Sequence, residues 1–412
     1  MKDIFRKLHL WVSVPFGIVI VITCFTGALL VFESDIVALR NRDLIRVEPV
    51  GAPLSVEQLI DKVNVTLKDG AEVTGVVIPS SPFEAYKVNV SKPSRTALYV
   101  DQYTGAVKGK HANVPFFSVV RRLHRWLMDA RPSGGGIFWG KMVVGASTLA
   151  FVVILLTGLV IWWPRNGKML KNRLKIVAGK GWNRFWHNLH VAGGFYVLLF
   201  LLAMALTGLT WSYSWYRNAF YSLFDAETAQ STQLQSADKP GVSVVPVAQQ
   251  RVDTLAHSTT AVDGAVPETD AVTAATWKAD AATAATVLAD EEPSVQPWQR
   301  AFDCVVAKYA RYKTVTVTDG LVTVALEGFG NERVRDKYVF DESTGEIISE
   351  KLYANESTRS KASGWVRMLH FGNWGGVFSK VLYFLAALLG ATLPVTGYYL
   401  WIRRLYGKRK RN

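Results

Sequence analysis

The sequence predicts an all-α four-helix membrane bundle that carries two small α+β modules outside the bilayer and is built by internal duplication. Three observations predict it: four long uncharged apolar stretches, a lopsided distribution of lysine and arginine, and a motif set that occurs twice in the same order. Half of the 412 residues are apolar, and they are concentrated rather than spread, which is the mark of the membrane class.

The stretches 10–32, 142–163, 191–216 and 381–402 hold 23, 22, 26 and 22 residues without a charge. Each exceeds the roughly 20 residues that a helix needs to cross a hydrocarbon core. The first follows Lys2, Arg6 and Lys7 and so resembles a signal peptide at its start. It is longer than a signal h-region and no small-x-small cleavage site closes it, so the expectation is a retained helix. Cys24 follows Ile22-Thr23, which lacks the small residue expected before a lipidated cysteine.

Charge sets the expected orientation. The segment 164–184 carries seven cations (Arg165, Lys168, Lys171, Arg173, Lys175, Lys180 and Arg184) and no acid. The tail after Ile402 adds six more without an acid, and the N-terminus a net +2, whereas the whole chain carries +14. The two long loops are therefore close to neutral together. By the positive-inside rule the termini and the central loop are expected in the cytoplasm and both long loops outside. The basic excess reports topology and lipid contact, so no nucleic-acid partner is expected. Cys24 and Cys304 are the only cysteines, one in a span and one in a loop, which leaves neither a disulfide nor a cysteine metal site.

The duplication is read from spacing. Leu8-His9 opens the first span and Gly27 of Thr26-Gly27 lies 18 residues beyond the histidine; Leu189-His190 and Thr207-Gly208 repeat this in the third. Leu123-His124 and Thr157-Gly158 frame the second span as Leu369-His370 and Thr396-Gly397 frame the fourth. Arg121 and Arg367 each stand three residues before the outer histidine. The odd spans run in one direction, so the halves should be related by an axis along the membrane normal. That places His9 and His190 together near the cytoplasmic face, and His124 and His370 together near the outer face.

The loops repeat too. Apolar Val56, Leu59, Ile60 and Val63 share one face of a helix over 55–67 with Ser55 as N-cap, followed by strands at 73–78, 85–90 and 97–100 and the turn Asp101-Gln-Tyr-Thr104-Gly105. The second loop gives a helix at 300–309, strands at 314–317, 321–326 and 336–340, and the turn Asp341-Glu-Ser-Thr344-Gly345. An Ala/Thr/Asp-rich insertion at 226–293 reads either as a loop or as a decorated helix.

Four of seven histidines fall on the repeat. Polar residues inside a membrane are costly unless paired, and two neutral imidazoles pair through a shared metal or cofactor. Two imidazoles do not complete a zinc site, and beyond the lone Cys24 the uncharged stretches offer no Cys, Asp or Glu to complete one. They do suit a six-coordinate haem, and the absence of Cys-x-x-Cys-His makes it non-covalent, b-type. The expected cofactors are thus two bis-His b haems, on His9/His190 and on His124/His370. Gly17, Gly27, Gly193, Gly194, Gly208 and Gly390 could admit the macrocycle or serve close helix packing. Arg121, Arg122, Arg125 and Arg367 could pair propionates or anchor the interface. His187, three residues before His190, competes with it as ligand; only His190 aligns with His9. His111 and His257 lie outside the repeat and are expected to be solvated.

The four Leu-His/Thr-Gly spans, the two Asp-x-x-Thr-Gly turns (Asp101, Thr104, Gly105; Asp341, Thr344, Gly345) and the closing Trp401-Ile-Arg-Arg404 together resemble the PepSY-associated transmembrane family of bacterial inner-membrane proteins, over nearly the whole chain. The resemblance implies PepSY-type domains in the periplasm. For members that act as siderophore reductases it implies two b haems that carry electrons to ferric siderophore. The expected layout is span 1 (1–33), PepSY-like domain 1 (34–120), interfacial segment and span 2 (121–164), basic cytoplasmic loop (165–185), span 3 (186–217), PepSY-like domain 2 with the insertion (218–363), interfacial segment and span 4 (364–403) and basic tail (404–412).

The function expected first is a transmembrane electron conduit, a ferric-siderophore reductase of the bacterial inner membrane. No Gly-x-Gly-x-x-Gly fingerprint is present, so the donor would be a cytoplasmic flavoprotein or a membrane quinol. No separate catalytic residue is expected beyond the ligands. The alternatives are a PepSY binding or regulatory protein without redox activity, and a siderophore or iron permease, against which four spans without a charged pathway residue argue.

Overall fold

The computed structural model describes residues 2–133, 135–177, 179, 181–224, 296–328, 330–331 and 333–409; the insertion at 226–293 lies outside them. Two compact units emerge, each made from separate parts of the chain. The described parts of segments 1–33, 114–238 and 358–412 form a helical unit, and those of segments 34–113 and 239–357 form a sheet unit.

Among the described residues, the helical unit contains four helices long and apolar enough to cross a membrane, and the protein is a multi-pass membrane protein. Each helix starts before its uncharged stretch. Span 1 covers Lys2–Leu30, span 2 Trp139–Trp162, which stops just ahead of Pro164, and span 4 Gly376–Arg409. Span 3 begins as Trp182–Asn188, passes through a π-helical turn at Leu189–Gly193 and continues as Gly194–Ser212. Span 1 packs on spans 2 and 4, and span 3 packs on the same two, so spans 1 and 3 stand diagonally opposed. Ile20, Phe151, Leu155, Val197, Leu201, Ala205, Ala386 and Leu393 fill the middle of the bundle.

Two shorter helices lead into the even-numbered spans. Pro115–Trp126 is strongly amphipathic and lies against span 1; Thr358–Phe371 lies against span 3. Leu127 and Met128, both at positive φ, end the first. The second ends at Gly372, where φ is +74° and a Cβ would fall 2.5 Å from the Tyr383 ring; only glycine fits that turn.

In the sheet unit the sequence expects two separate modules, and the structure joins them. Among the described residues, eight strands form one antiparallel sheet in the order β4-β3-β2-β1-β5-β6-β7-β8. The strands are β1 Val73–Pro79, β2 Tyr86–Val90, β3 Thr96–Val100, β4 Val107–Lys110, β5 Thr314–Thr318, β6 Leu321–Ala325, β7 Arg335–Phe340 and β8 Ile347–Lys351. The seam is β1 against β5, with Gly75 opposite Thr318 and Pro79 opposite Thr314. β1 and β5 are each the first strand of their module. Left alone, each would end its sheet on an unpaired edge.

The edge strands β4 and β8 escape the sequence reading because they bury almost nothing: neither contains a buried residue. Each follows an Asp-x-x-Thr-Gly turn that aims it. Asp101 Oδ1 accepts the Tyr103 and Thr104 amides and Asp341 Oδ1 those of Ser343 and Thr344; Gly105 and Gly345 take φ of +75° and +74°. The motif is thus a structural turn.

The first helix, Val56–Thr66, starts with Ser55 in a capping box with Gln58. The second runs Pro297–Val306, not 300–309, because Pro297 supplies a favoured first helical residue. The two helix starts cap each other: Glu57 Oε1 accepts the Trp298 and Gln299 amides, and Gln299 Oε1 accepts the Val56 amide. Leu59, Val63, Ala301 and Val305 share one core with Val76, Val88, Val315, Val317, Val322 and Val324 of the sheet.

Candidate functional site

Four imidazoles meet in two pairs inside the helical unit. His9 of span 1 faces His190 of span 3 with ring centroids 6.4 Å apart. His124 of helix Pro115–Trp126 faces His370 of helix Thr358–Phe371 at 6.3 Å. Along span 1, His9 and the Thr26 that touches His124 are 17 residues apart, or about 26 Å at 1.5 Å per residue, so the pairs occupy opposite ends of the bundle.

Each histidine sits in the same kind of seat. The His9 Nδ1 lies 3.1 Å from both the Ile154 carbonyl and Thr157 Oγ1 of span 2. The His190 Nδ1 lies 3.1 Å from the Leu393 carbonyl and 2.9 Å from Thr396 Oγ1 of span 4. The His124 Nδ1 lies 2.9 Å from the Thr23 carbonyl and 3.1 Å from Thr26 Oγ1 of span 1. The His370 Nδ1 lies 3.0 Å from the Met204 carbonyl and 3.1 Å from Thr207 Oγ1 of span 3. A carbonyl only accepts, so each Nδ1 carries the proton and donates it. Nε2 is then the nitrogen with a free lone pair on all four rings.

The glycine after each threonine makes room for the ring. A Cβ on Gly27, Gly158, Gly208 or Gly397 would stand 3.1, 3.3, 3.1 or 3.5 Å from the Cε1 of His124, His9, His370 or His190. From sequence, Gly27 and Gly208 are expected to admit the macrocycle or to serve helix packing; in the structure they make room for a histidine ring, a role set by the other helix that supplies the histidine. Gly17 and Gly390 do not leave space for a macrocycle: their Cβ atoms would strike Tyr398 and Leu201 at 2.5 and 2.7 Å. Gly193 and Gly194 meet Leu389 and Leu393, so these four serve helix packing.

His190 rather than His187 faces His9; His187 is exposed. The π-helical turn falls on His190 itself, a distortion that recurs at functional positions in helices. Arg121 is engaged by Glu33 and by Ser118, which leaves its guanidinium less available than the sequence suggests. Arg367 lies 4.8 Å over the Phe371 ring, and its buried Nε has no hydrogen-bond partner. Arg125 stacks on Trp126 at 4.7 Å; burial, together with Arg121 and Arg367 nearby, pushes its guanidinium below the ordinary range. The His124/His370 pair also has an aromatic neighbour with no counterpart at His9/His190 among the described residues: the half-exposed Trp211 ring, 4.9 Å from His370. His111, expected to be solvated, is instead packed in the sheet unit against Tyr99, whose hydroxyl is 3.2 Å from Nδ1. Burial pushes its pKa down to about 4. His257 lies outside the described residues.

The spacing of the pairs can be tested against a shared metal. A metal–imidazole bond of about 2.0 Å on each side, plus about 1.1 Å from nitrogen to ring centre, would set two ring centroids sharing one metal about 6.2 Å apart. The two pairs stand at 6.4 and 6.3 Å. Among the described residues no group of three or more His, Cys, Asp or Glu side chains could hold a metal ion, so the remaining ligands would come from a bound group. A porphyrin supplies four nitrogens, and the residues present fit a bis-His haem at each end.

Two comparisons with known proteins bear on this arrangement. The family model described as PepSY-associated TM region matches residues 6–404, which takes in all four spans, both histidine pairs and the eight-stranded sheet. Among curated proteins no sequence matches the chain.

Proposed function

The chain belongs to the PepSY-associated TM region family, and from that premise we propose that it is a transmembrane electron conduit that reduces a ferric siderophore on the far side of the bacterial inner membrane. The observation that carries the reading is the pair of imidazole couples at metal-bridging separation, each ring held by Nδ1 with Nε2 free. His9 and His190 would hold one b haem at the end of the bundle that carries the chain termini, and His124 and His370 the second at the other end. When bound, the haems supply one-electron Fe(III)/Fe(II) chemistry.

The chain's own residues do the rest. The seats fix ring orientation before the cofactor arrives, so binding does not have to order four imidazoles. The apolar centre built from Ile20, Phe151, Leu155 and Leu201 keeps water out of the bundle between the pairs. At the inner end Lys2 Nζ donates to the Trp163 carbonyl and Arg173 to the Ile161 and Trp162 carbonyls, closing the end of span 2 with cations where its dipole favours them. At the outer end Arg367, with its orphaned Nε–H, is the residue best placed to meet a propionate, whereas Arg121 already spends its charge on Glu33. The positive-inside distribution supports a cytoplasmic terminal side, from which a flavoprotein or quinol would deliver the electron. One electron passed to the ferric chelate yields Fe(II), which hard oxygen donors hold far less tightly.

The test is a spectrum. Protein purified from haem-replete cells should show a reducible Soret band and two b haems per chain. Dithionite-reduced protein should be reoxidised by a membrane-impermeant ferric siderophore, with Fe(II) captured by ferrozine. Colourless, folded protein would remove the haem reading. Loaded protein that reacts with quinone or oxygen but with no ferric chelate would remove the siderophore.

A further inference from the structure

We propose that Thr26, Thr157, Thr207 and Thr396 are positioning residues for the four paired histidines, each acting with the carbonyl three residues before it and the glycine after it. The inference rests on the di-haem reading and assigns a role to residues outside the ligand set. Its basis is a fourfold recurrence of one geometry on four different helices.

Each threonine hydroxyl is committed in both directions. Thr26 Oγ1 donates back to the Ile22 carbonyl at 2.6 Å, Thr157 to Val153 at 2.7 Å and Thr207 to Ala203 at 2.6 Å; Thr396 donates to Leu393 at 2.9 Å. With its proton spent on its own helix, the hydroxyl can meet an imidazole only as an acceptor. Back-bonding of this kind is common for threonine in helices and by itself marks nothing. What is unusual is that all four oxygens, and in every case the carbonyl at i−3, converge on a histidine Nδ1 of another helix. A neutral imidazole can protonate either nitrogen; two acceptors at Nδ1 select one tautomer and leave Nε2 as the ligand atom.

The wiring follows the duplication. Within the first repeat, span 2 seats His9 and span 1 seats His124; within the second, span 4 seats His190 and span 3 seats His370. Every seat lies inside one repeat, and every ligand pair joins the two repeats. Each half therefore orients its own two imidazoles, and the cofactor bridges the halves.

The consequence is electronic as well as geometric. An Nδ1–H that donates to two oxygens makes Nε2 a stronger donor to iron and favours Fe(III) over Fe(II). Thr207→Val, isosteric but without the acceptor, should raise the midpoint potential of the outer haem and speed its loss to excess apomyoglobin 10- to 100-fold, the range for removal of a partner behind a metal ligand. The inner haem should be unmoved, and Thr207→Ser should restore both readings. Thr157→Val asks the same of the inner pair should the first variant fail to accumulate. A folded, two-haem Thr207→Val or Thr157→Val protein with wild-type midpoint and haem-loss rate would overturn the proposal while leaving the haems in place. Wild-type protein without haem would instead defeat the reading beneath it.

Discussion

Alanine at the seat glycines separates a snug seat from a loose one by the same chemical change. At Gly208 of span 3 the new Cβ would stand 3.1 Å from His370 Cε1, and at Gly397 of span 4 it would stand 3.5 Å from His190 Cε1. Carbon atoms reach their optimum at about 3.5–4.0 Å, so the first ring must retreat by about 0.4 Å while the second need not move. His370 Nδ1 now sits 3.0 and 3.1 Å from its two acceptors; a retreat of that size takes both to about 3.4–3.5 Å, beyond the usual N–H···O range. Weakening two hydrogen bonds worth about 1 kcal/mol each, at about 1.4 kcal/mol per tenfold, predicts roughly 10-fold faster loss of the outer haem. Gly397→Ala should leave haem retention unchanged and gain up to about 1 kcal/mol from helix propensity. Haem transfer to apomyoglobin, followed in detergent beside thermal unfolding of the holoprotein, reads both quantities. Equal behaviour of the two variants, in either direction, would refute the seat geometry.

Further outcomes are expected elsewhere. His124→Ala or His370→Ala should cost one haem equivalent and His9→Ala or His190→Ala the other, with His187→Ala keeping both; pyridine haemochrome counting decides it. Reporter fusions after Lys175 and at the C-terminus should read cytoplasm, and fusions within 55–110 or 300–350 should read periplasm. A Cβ on Gly345 meets the Pro297 backbone at 2.5 Å, whereas on Gly105 it meets side chains alone, the flexible Lys62 and Leu54. Both alanines bear the positive-φ cost of about 1–2 kcal/mol, and Gly345→Ala should lose about 1–3 kcal/mol more by calorimetry. The depressed pKa of His111, about 4 when folded against 6.5 for the free side chain, means the unfolded state takes up its proton first. Stability should therefore fall as pH drops from about 6.5 towards 4, by about 1 kcal/mol after allowance for partial exposure. His111→Gln should flatten that slope in pH-dependent melting.

Sequence alone determined the elements whose signals are local or repeated. Four uncharged runs specify four spans, because crossing a bilayer requires every backbone group to be satisfied within the helix. The spacing of Leu-His and Thr-Gly specifies the duplication, and the repeat register singles out the two histidine pairs that face each other. Alternation in 314–317 and 321–326 reads directly as half-buried strand. Even Ser55 could be named as a cap before its hydrogen bond was seen.

Only the tertiary structure decided which groups from distant segments touch. Backbone pairing carries no side-chain signature, so the β1–β5 seam that makes one sheet from two modules is invisible in the pattern of either strand. β4 and β8 bury nothing and so show no period. The partner of each Thr-Gly step depends on which helix lies alongside it, and that is set by packing across the bundle rather than by the 18-residue spacing within one span. The same holds for Arg121, whose charge is taken by Glu33, 88 positions away. Periodicity reports the face a residue is on; contact between faces is a property of the folded whole, and here it is contact that turns four histidines and four threonines into two sites.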